Sequence, residues 1–420
     1  MRHRTLAIVI TVAVLAALLV LGVVRAGAQG TPNLPSIGAQ QLLQNVAIKA
    51  HDTTAINGEF SWTNDLLGSG SLLSLGGGQP STSLTSLLQG GSGRVWLQDG
   101  KARIESQSDN GNGDVVAVTD GHTAWTWQSA TDTATQYTLP QPTGTTSPAP
   151  SPTVDPSAAI AGAIERLAPT ATLSVSGQQV VAGQDTYTLT LTPTSPVTVF
   201  GRIDVAVDGQ RWVPLRVQVF AKDGTTPALS AGFTSVSYQP VSDSLFTFTP
   251  PQGATVVHKD LRKSTQSLQG AGPSGATPQA VKAGHKPLTL AQAKAQAPFL
   301  LTPSSTPKGI AFTGAYVTPT AMPKGAGQQQ HPPVAVLHYG TGFGSVVVVE
   351  TPATAVQDQT IGRQLGQLSL LGKTTVNGVP ATKVETSLGS ALTFRQGDVR
   401  VAVAGMVPWS DLAQIAGSLQ

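Results

Sequence analysis

The chain has 420 residues, room for two or three domains with ample core, and carries a net charge of only +3. It contains no cysteine, which excludes disulfides, thiolate metal sites and lipid attachment through a cysteine. Charged residues make up 11%, about half the usual quarter. Surface polarity therefore rests on Ser, Thr, Gln and Asn, as in many exported proteins, and with no basic stripe interleaved with aromatics a nucleic acid is not expected as partner.

Arg2, His3 and Arg4 precede an uncharged apolar run over residues 6–24, and Ala26-Gly27-Ala28 satisfies the small-residue rule for signal-peptide cleavage. The run is also just long enough to span a bilayer. A cleaved signal and a retained membrane anchor over residues 1–28 fit equally well. Both place the remainder outside the cytoplasm.

From residue 39 to 50 the positions Leu42, Leu43, Val46, Ala47 and Ala50 follow helical spacing. Residues 56–63 read as a first strand with Phe60 and Trp62 on one face. Residues 66–93 are rich in Leu, Gly and Ser without a steady period. Two readings stay open for them: a lid over an apolar opening, built on Leu72, Leu73, Leu84, Leu87 and Leu88, or a partly helical insertion packed on the sheet. Strands are expected at 94–98 and 102–107, joined through Asp99-Gly100, and at 115–119 and 123–128, joined through Asp120-Gly121; Tyr137 to Leu139 ends this half. A Pro/Thr/Ser tract over 140–156 reads as a solvated loop, and 158–167 as a short helix.

Strands resume at 172–176, 179–181 and 186–192, then enter a meander over 201–257. There Ile203, Val205 and Val207 alternate with Asp204, Ala206 and Asp208, the pattern of a strand with one buried face. Asp208-Gly209 predicts a tight hairpin with Gly supplying positive φ. Leu215, Val217 and Val219 form the next run, Asp223-Gly224 the next turn, and 233–238 the third strand. A fourth, Phe246-Thr247-Phe248, stops at Pro250-Pro251, because proline has no N–H for the ladder. Residues 259–287 have a linker's composition.

The remainder, 288–420, reads as a second, smaller α+β domain. Thr289 with Gln292 resembles a capping box. Six strands follow, the first at 334–338 and the last at 399–404, with Asn377-Gly378 as a turn. Ser410 is expected to cap a final helix with Leu412, Ile415, Ala416 and Leu419 on one stripe.

No catalytic machinery emerges. There is no G-x-S-x-G elbow, and the seven His residues show no metal-ligand spacing. His51-Asp52 reads as a helix end, Gly372-Lys373-Thr374 as a turn, and 340–344 as a glycine-rich hairpin. The Asp109–Asp114 stretch misses the register of a calcium loop. No catalytic residue, metal or cofactor is expected. What stands out is aromatic placement on expected strands: Phe60, Trp62, Trp96, Trp125, Trp127, Trp212, Phe220, Phe233, Phe246 and Phe248. Each is ordinary core material, but a bent sheet covered by short helices also leaves room for an apolar hollow. Its candidate lining is Phe60, Trp62, Trp96, Trp125, Trp127, Leu189, Val205, Val217, Phe233 and Phe246.

Several motifs, in order, carry a family resemblance: Asn57-Gly-Glu-Phe-Ser-Trp62, Arg94-Val-Trp-Leu-Gln-Asp-Gly-Lys-Ala-Arg103, Asp120-Gly-His-Thr-Ala-Trp125, Tyr137-Thr-Leu-Pro140, Val181-Ala-Gly-Gln-Asp-Thr-Tyr187, Asp208-Gly-Gln-Arg-Trp-Val-Pro-Leu-Arg216 and Phe246-Thr-Phe-Thr-Pro-Pro-Gln-Gly-Ala254. Residues 36–258 thereby resemble the LolA/LolB/RseB superfamily of lipoprotein-carrier-like domains, in the version found in actinobacterial membrane-anchored proteins. The resemblance implies a mainly β fold with short helices, an unclosed antiparallel β half-barrel with an apolar cavity for lipid or lipoprotein acyl chains. The family's basic residue after the Val-Trp strand is absent: that turn is Asp99-Gly100, and Arg103 lies further on. Residues 288–420 resemble a domain of unknown function found in exported bacterial regulators, through Leu288-Thr-Leu-Ala-Gln-Ala-Lys-Ala-Gln-Ala-Pro298 and the final helix. The implied function is a non-enzymatic, extracytoplasmic lipid- or lipoprotein-binding carrier, attached to the membrane through its N-terminal segment or secreted. The alternative is an RseB-like envelope-stress sensor in a sigma/anti-sigma system, with a membrane regulatory protein as partner; a purely structural envelope module is a third reading.

Overall fold

The computed structural model describes residues 32–66, 90–108, 113–139, 168–261, 287–318, 333–353 and 372–420. The lid candidates Leu72, Leu73, Leu84, Leu87 and Leu88, the tract at 140–156, the helix expected at 158–167 and linker residues 262–286 lie outside them.

Two antiparallel meanders make up the first unit. One contains β1 (Ala55–Asn64), β2 (Gly91–Gln98), β3 (Lys101–Ser108), β4 (Asp114–Thr119), β5 (Thr123–Gln128) and β6 (Thr133–Thr138); the other contains β7 (Ala171–Val181), β8 (Gln184–Pro193), β9 (Phe200–Asp208), β10 (Pro214–Ala221) and β11 (Leu229–Ser237). Asp99 and Gly100, both at positive φ, make the tight β2–β3 turn as their residue types demand. β1 pairs with β2 on one side and β11 on the other, fusing the meanders into a single twelve-stranded sheet. Its end strands are β7 and β12 (Thr255–Asp260), so the sheet is an open half-barrel. Helix α1 (Ala39–Lys49) buries Leu42 and Val46 in the main apolar cluster.

In the first unit three local expectations fail for identifiable reasons. Phe246 to Phe248 is not a strand: Ser242 accepts from the Ser244 N–H and starts a 3₁₀ turn over Asp243–Phe246, and an extended strap follows. The next strand, β12, begins beyond the two prolines and runs parallel to β6, reaching Asp260, two residues into the expected linker. At the β9–β10 turn Gly209 is not the left-handed residue. The Asp208 carboxylate accepts from the Gln210 and Arg211 N–H groups, widening the turn, and Trp212 takes φ 61° outside any strand. For a bulky side chain this conformation costs about 1–2 kcal/mol. Gly209 serves contact instead, since Leu34 fills the space where a Cβ would sit.

The second unit is a seven-stranded antiparallel sheet in the order β13 (Phe312–Thr318), β14 (Val334–Tyr339), β15 (Val346–Pro352), β19 (Val399–Gly405), β18 (Gly389–Gln396), β17 (Val379–Thr386), β16 (Gly372–Val376). Gly372-Lys373-Thr374, expected as a turn, opens β16. The Thr289/Gln292 capping box is present and starts α2 (Leu290–Gln296). The final helix, α3 (Trp409–Gly417), is capped by Pro408 rather than Ser410, which lies inside it; the fixed φ of proline sets the helix entrance and the Pro408 carbonyl accepts from Leu412 N–H. Ala293, Leu300, Leu412, Ile415 and Leu419 pack with Leu337, Val348, Phe394 and Val403 of the sheet in one core.

The units meet at a short seam. The Met406 carbonyl accepts from Val199 N–H at 2.9 Å and from the Thr198 hydroxyl at 2.8 Å. Phe343, on the β14–β15 turn, joins the first unit's core with its ring centroid 4.6 Å from that of Phe200. Gly344 has no side chain because Ser195 and Val197 occupy that space.

Glu350 on β15 is fully buried, 0% exposed, with one carboxylate oxygen accepting from Leu301 N–H at 2.7 Å. Among the described residues its second oxygen and the buried Tyr339 hydroxyl have no hydrogen-bond partner. Burial pushes the Glu350 carboxyl up to about 7, against the opposing pull of Leu301 N–H and Lys294. A pKa raised on folding gives stability fully present below the ordinary value of 4.5 and lost as pH climbs through about 7. Glu350→Gln should therefore match the parent near pH 4 and exceed it near pH 8, by about 3 kcal/mol at most. Urea unfolding at both pH values checks this; an equal difference at the two would refute the protonation argument.

Candidate functional site: the two faces of the open sheet

Residues directly paired across a ladder share a face, and faces alternate along each strand. From Phe60 and Trp62 this rule runs one way to Phe233 and Ala231 on β11, Val217 on β10, Val205 on β9 and Leu189 on β8. In the other direction it runs to Gly93 and Gly91, then Val95 and Leu97 on β2, and Ala102 and Ile104 on β3. Because α1 packs here, we call it the helix face. Of the candidate lining, Phe60, Trp62, Leu189, Val205, Val217 and Phe233 lie together on it, all within the buried cluster that includes Leu42 and Val46.

Trp96, Trp125 and Trp127 fall on the opposite face. Trp96 pairs with Asn57 and Arg103, Trp125 with Val118 and Trp127 with Val116. Phe246 sits on that side too, carried by the strap rather than by the sheet. The strap crosses the strands in sequence. Gln98 on β2 exchanges two hydrogen bonds with Val241, Lys101 on β3 meets Asp243 at 2.7 Å, and Arg103 donates to the Leu245 carbonyl at 3.1 Å. Phe248 then reaches Trp125, 5.5 Å between ring centroids. Arg103 is held in place by Glu105 at 2.6 Å. This guanidinium therefore fastens the strap, satisfying the Leu245 and Thr247 carbonyls, which no ladder partner takes.

Sequence reasoning missed the glycines that make room on the helix face. A Cβ at Gly93 would stand 2.7 Å from Phe60 Cζ, and one at Gly91 would collide with the Trp62 ring. Each aromatic thus lies over the glycine paired with it across β1–β2. Leu97, Ile104 and Val115 were missed as well. They continue the helix face toward β4 and are only half-buried. The available signal was parity: Val95 and Leu97 alternate in phase with Gly91 and Gly93, whereas Trp96 does not.

Among the described residues no group of three His, Asp or Glu side chains stands ready for a metal ion. No described helix is long and apolar enough to cross a membrane.

No family model matches the chain, and no curated protein matches it. Solved structures similar to it include MucB in complex with MucA(peri), at 16% identity, covering 91% of this chain and 98% of that one with a TM-score of 0.41. A LolA superfamily protein from Nitrosomonas europaea shares 10% identity over 51% of this chain and 99% of its own, TM-score 0.20. A putative outer membrane lipoprotein-sorting protein domain from Vibrio parahaemolyticus shares 10% over 50% and 96%, TM-score 0.22.

Gly93→Ala drives a Cβ into both the Glu105 backbone carbonyl and the Phe60 ring, and overpacking of this kind costs about 1–3 kcal/mol. Gly177→Ala, at a bulge in β7 with open space around it, should be neutral or slightly stabilising. Chemical denaturation of the two variants beside the parent distinguishes them; equal midpoints would show that the glycine is not there for the ring.

Proposed function

We propose that this is an extracytoplasmic, non-enzymatic binding protein, anchored through its N-terminal segment or secreted after signal cleavage, that takes lipid or lipoprotein acyl chains on the helix face of its open sheet. The carrying observation is the half-buried apolar run Leu97, Ile104 and Val115, which extends the face holding Phe60 and Trp62. An acyl chain laid there gains about 0.8 kcal/mol per methylene taken out of water and needs no polar partner.

A second reading, regulation through a membrane protein partner, is favoured by the seam. The loop between β8 and β9 contacts the second unit through Thr198 and Val199, so displacement of the first sheet by a ligand would be felt at Met406 and Phe343. MucB, among the similar structures, is seen in complex with MucA.

Native mass spectrometry of protein isolated gently from its own host should show acyl-containing adducts. The Leu97→Ser/Ile104→Ser variant should lose most of them while keeping the parent's circular dichroism. A parent protein free of lipid in that experiment would sink the acyl-chain reading. Specific recovery of one membrane protein by the lipid-free chain would favour the second.

A further inference from the structure

Where α1 ends, Ile48, Lys49, Arg211 and Trp212 make a surface of which only Trp212 also packs on the core. Ile48 is 70% exposed. Beside it, the Lys49 ammonium lies 5.1 Å from the ring centroid of Trp212. Trp212 is half-buried and stacks on buried Tyr187, with centroids 6.1 Å apart and planes 12° from parallel. Arg211, exposed on the same turn, lies over Tyr238 at 5.4 Å. The turn is braced from beneath: Asp208 accepts from two turn N–H groups at 2.7 Å each and from the Tyr238 hydroxyl at 2.6 Å. An aromatic, a branched aliphatic and two cations thus share one end of the unit on a rigid mount.

The chain's own path says what this end faces. Leu34 packs on Gly209 of the same turn, and its N–H and C=O are both taken by the Gln178 amide. The apolar run ends at residue 24, so the stretch leading to Leu34 reaches about 35 Å at full extension. A bilayer holding residues 6–24 is therefore never far from the Trp212 turn.

We propose that Ile48, Lys49, Arg211 and Trp212 dock on the anionic surface of the bilayer that holds the N-terminal segment. This rests on the reading of residues 6–24 as a retained tether. Tryptophan favours the headgroup level of a bilayer, and lysine and arginine near an anionic leaflet are drawn to it. The nearby carboxylates temper that attraction: Asp208 is enclosed by its three donors, but Asp52 is exposed just past the end of α1. Ile48 and Trp212 supply what the charges lack, and the tether turns a weak contact into an intramolecular one.

The absence of cysteine makes the test clean. The full chain is reconstituted into vesicles of phosphatidylcholine with phosphatidylglycerol, bearing one environment-sensitive label at Gln210→Cys or, as reference, at the exposed Asn377→Cys of the second unit. Brominated lipid should quench the first label and spare the second, with the difference shrinking in pure phosphatidylcholine and at high salt. Lys49→Gln/Arg211→Gln should lower the docked-to-free ratio by roughly thirtyfold at most, a fivefold preference for each charge. Equal quenching at the two labels overturns the docking while leaving the tether intact. Loss of the chain from floated vesicles after an alkaline wash removes the tether, and this proposal with it.

Discussion

Pairing of β1 with β11 joins residues some 180 positions apart, as in Asn57 opposite Ser237, and everything else in the first unit takes its phase from it. A slip of one residue would turn Phe60 and Trp62 to the other face and bring their neighbours with them. The ladder is pinned on both sides. Toward β2, each aromatic needs a glycine opposite; toward β11, a bulge beside Phe60 restores the match with Phe233. From that central strand the ladders run unbroken to β6, and toward β7 they pass through further bulges in β10 and β7.

That constraint explains what was legible in the sequence. Short-range features were clear: the Asp99-Gly100 and Asn377-Gly378 turns and the Thr289/Gln292 capping box all depend on residues within a few positions of one another. The alternation expected in β9 did not hold, since Ala206 and Asp208 are buried along with Val205 and Val207. The half-barrel class was implied by the resemblance carried by the ordered motifs between Asn57 and Ala254, not by the strand pattern alone. Trp96, Trp125 and Trp127 pair with Arg103, Val118 and Val116 inside local hairpins, so parity already set them apart from Leu97 and Ile104; what the local pattern could not show was which of the two faces α1 covers. Hydrophobic size suggested one common lining; parity divides it between two.

Two segments misled for a different reason. The alternation around Phe246 looks like a strand, yet its backbone carbonyls are taken by Arg103 and its side chain is buried from above the sheet. At the β9–β10 turn, the Asp208 carboxylate commandeers two N–H groups that a tight Asp-Gly turn would leave alone. In both, a side-chain hydrogen bond outcompetes the local backbone preference. The second unit shows the same rule in its interior, where the Leu301 N–H is satisfied by a carboxylate from β15 rather than by a helix or a ladder.

The strap has a bearing on the order in which the molecule comes together. It starts where β11 ends, crosses strands of the other meander and delivers β12 to the far side of β6. It has nothing to lie across until β1 and β11 have met, so its seating is a late event with a long chain loop already closed. A polypeptide made from its amino end would show an unguarded β6 margin throughout that wait. The stretch around Thr133 to Thr138 is thus the place where the nascent fold most needs shelter from its neighbours.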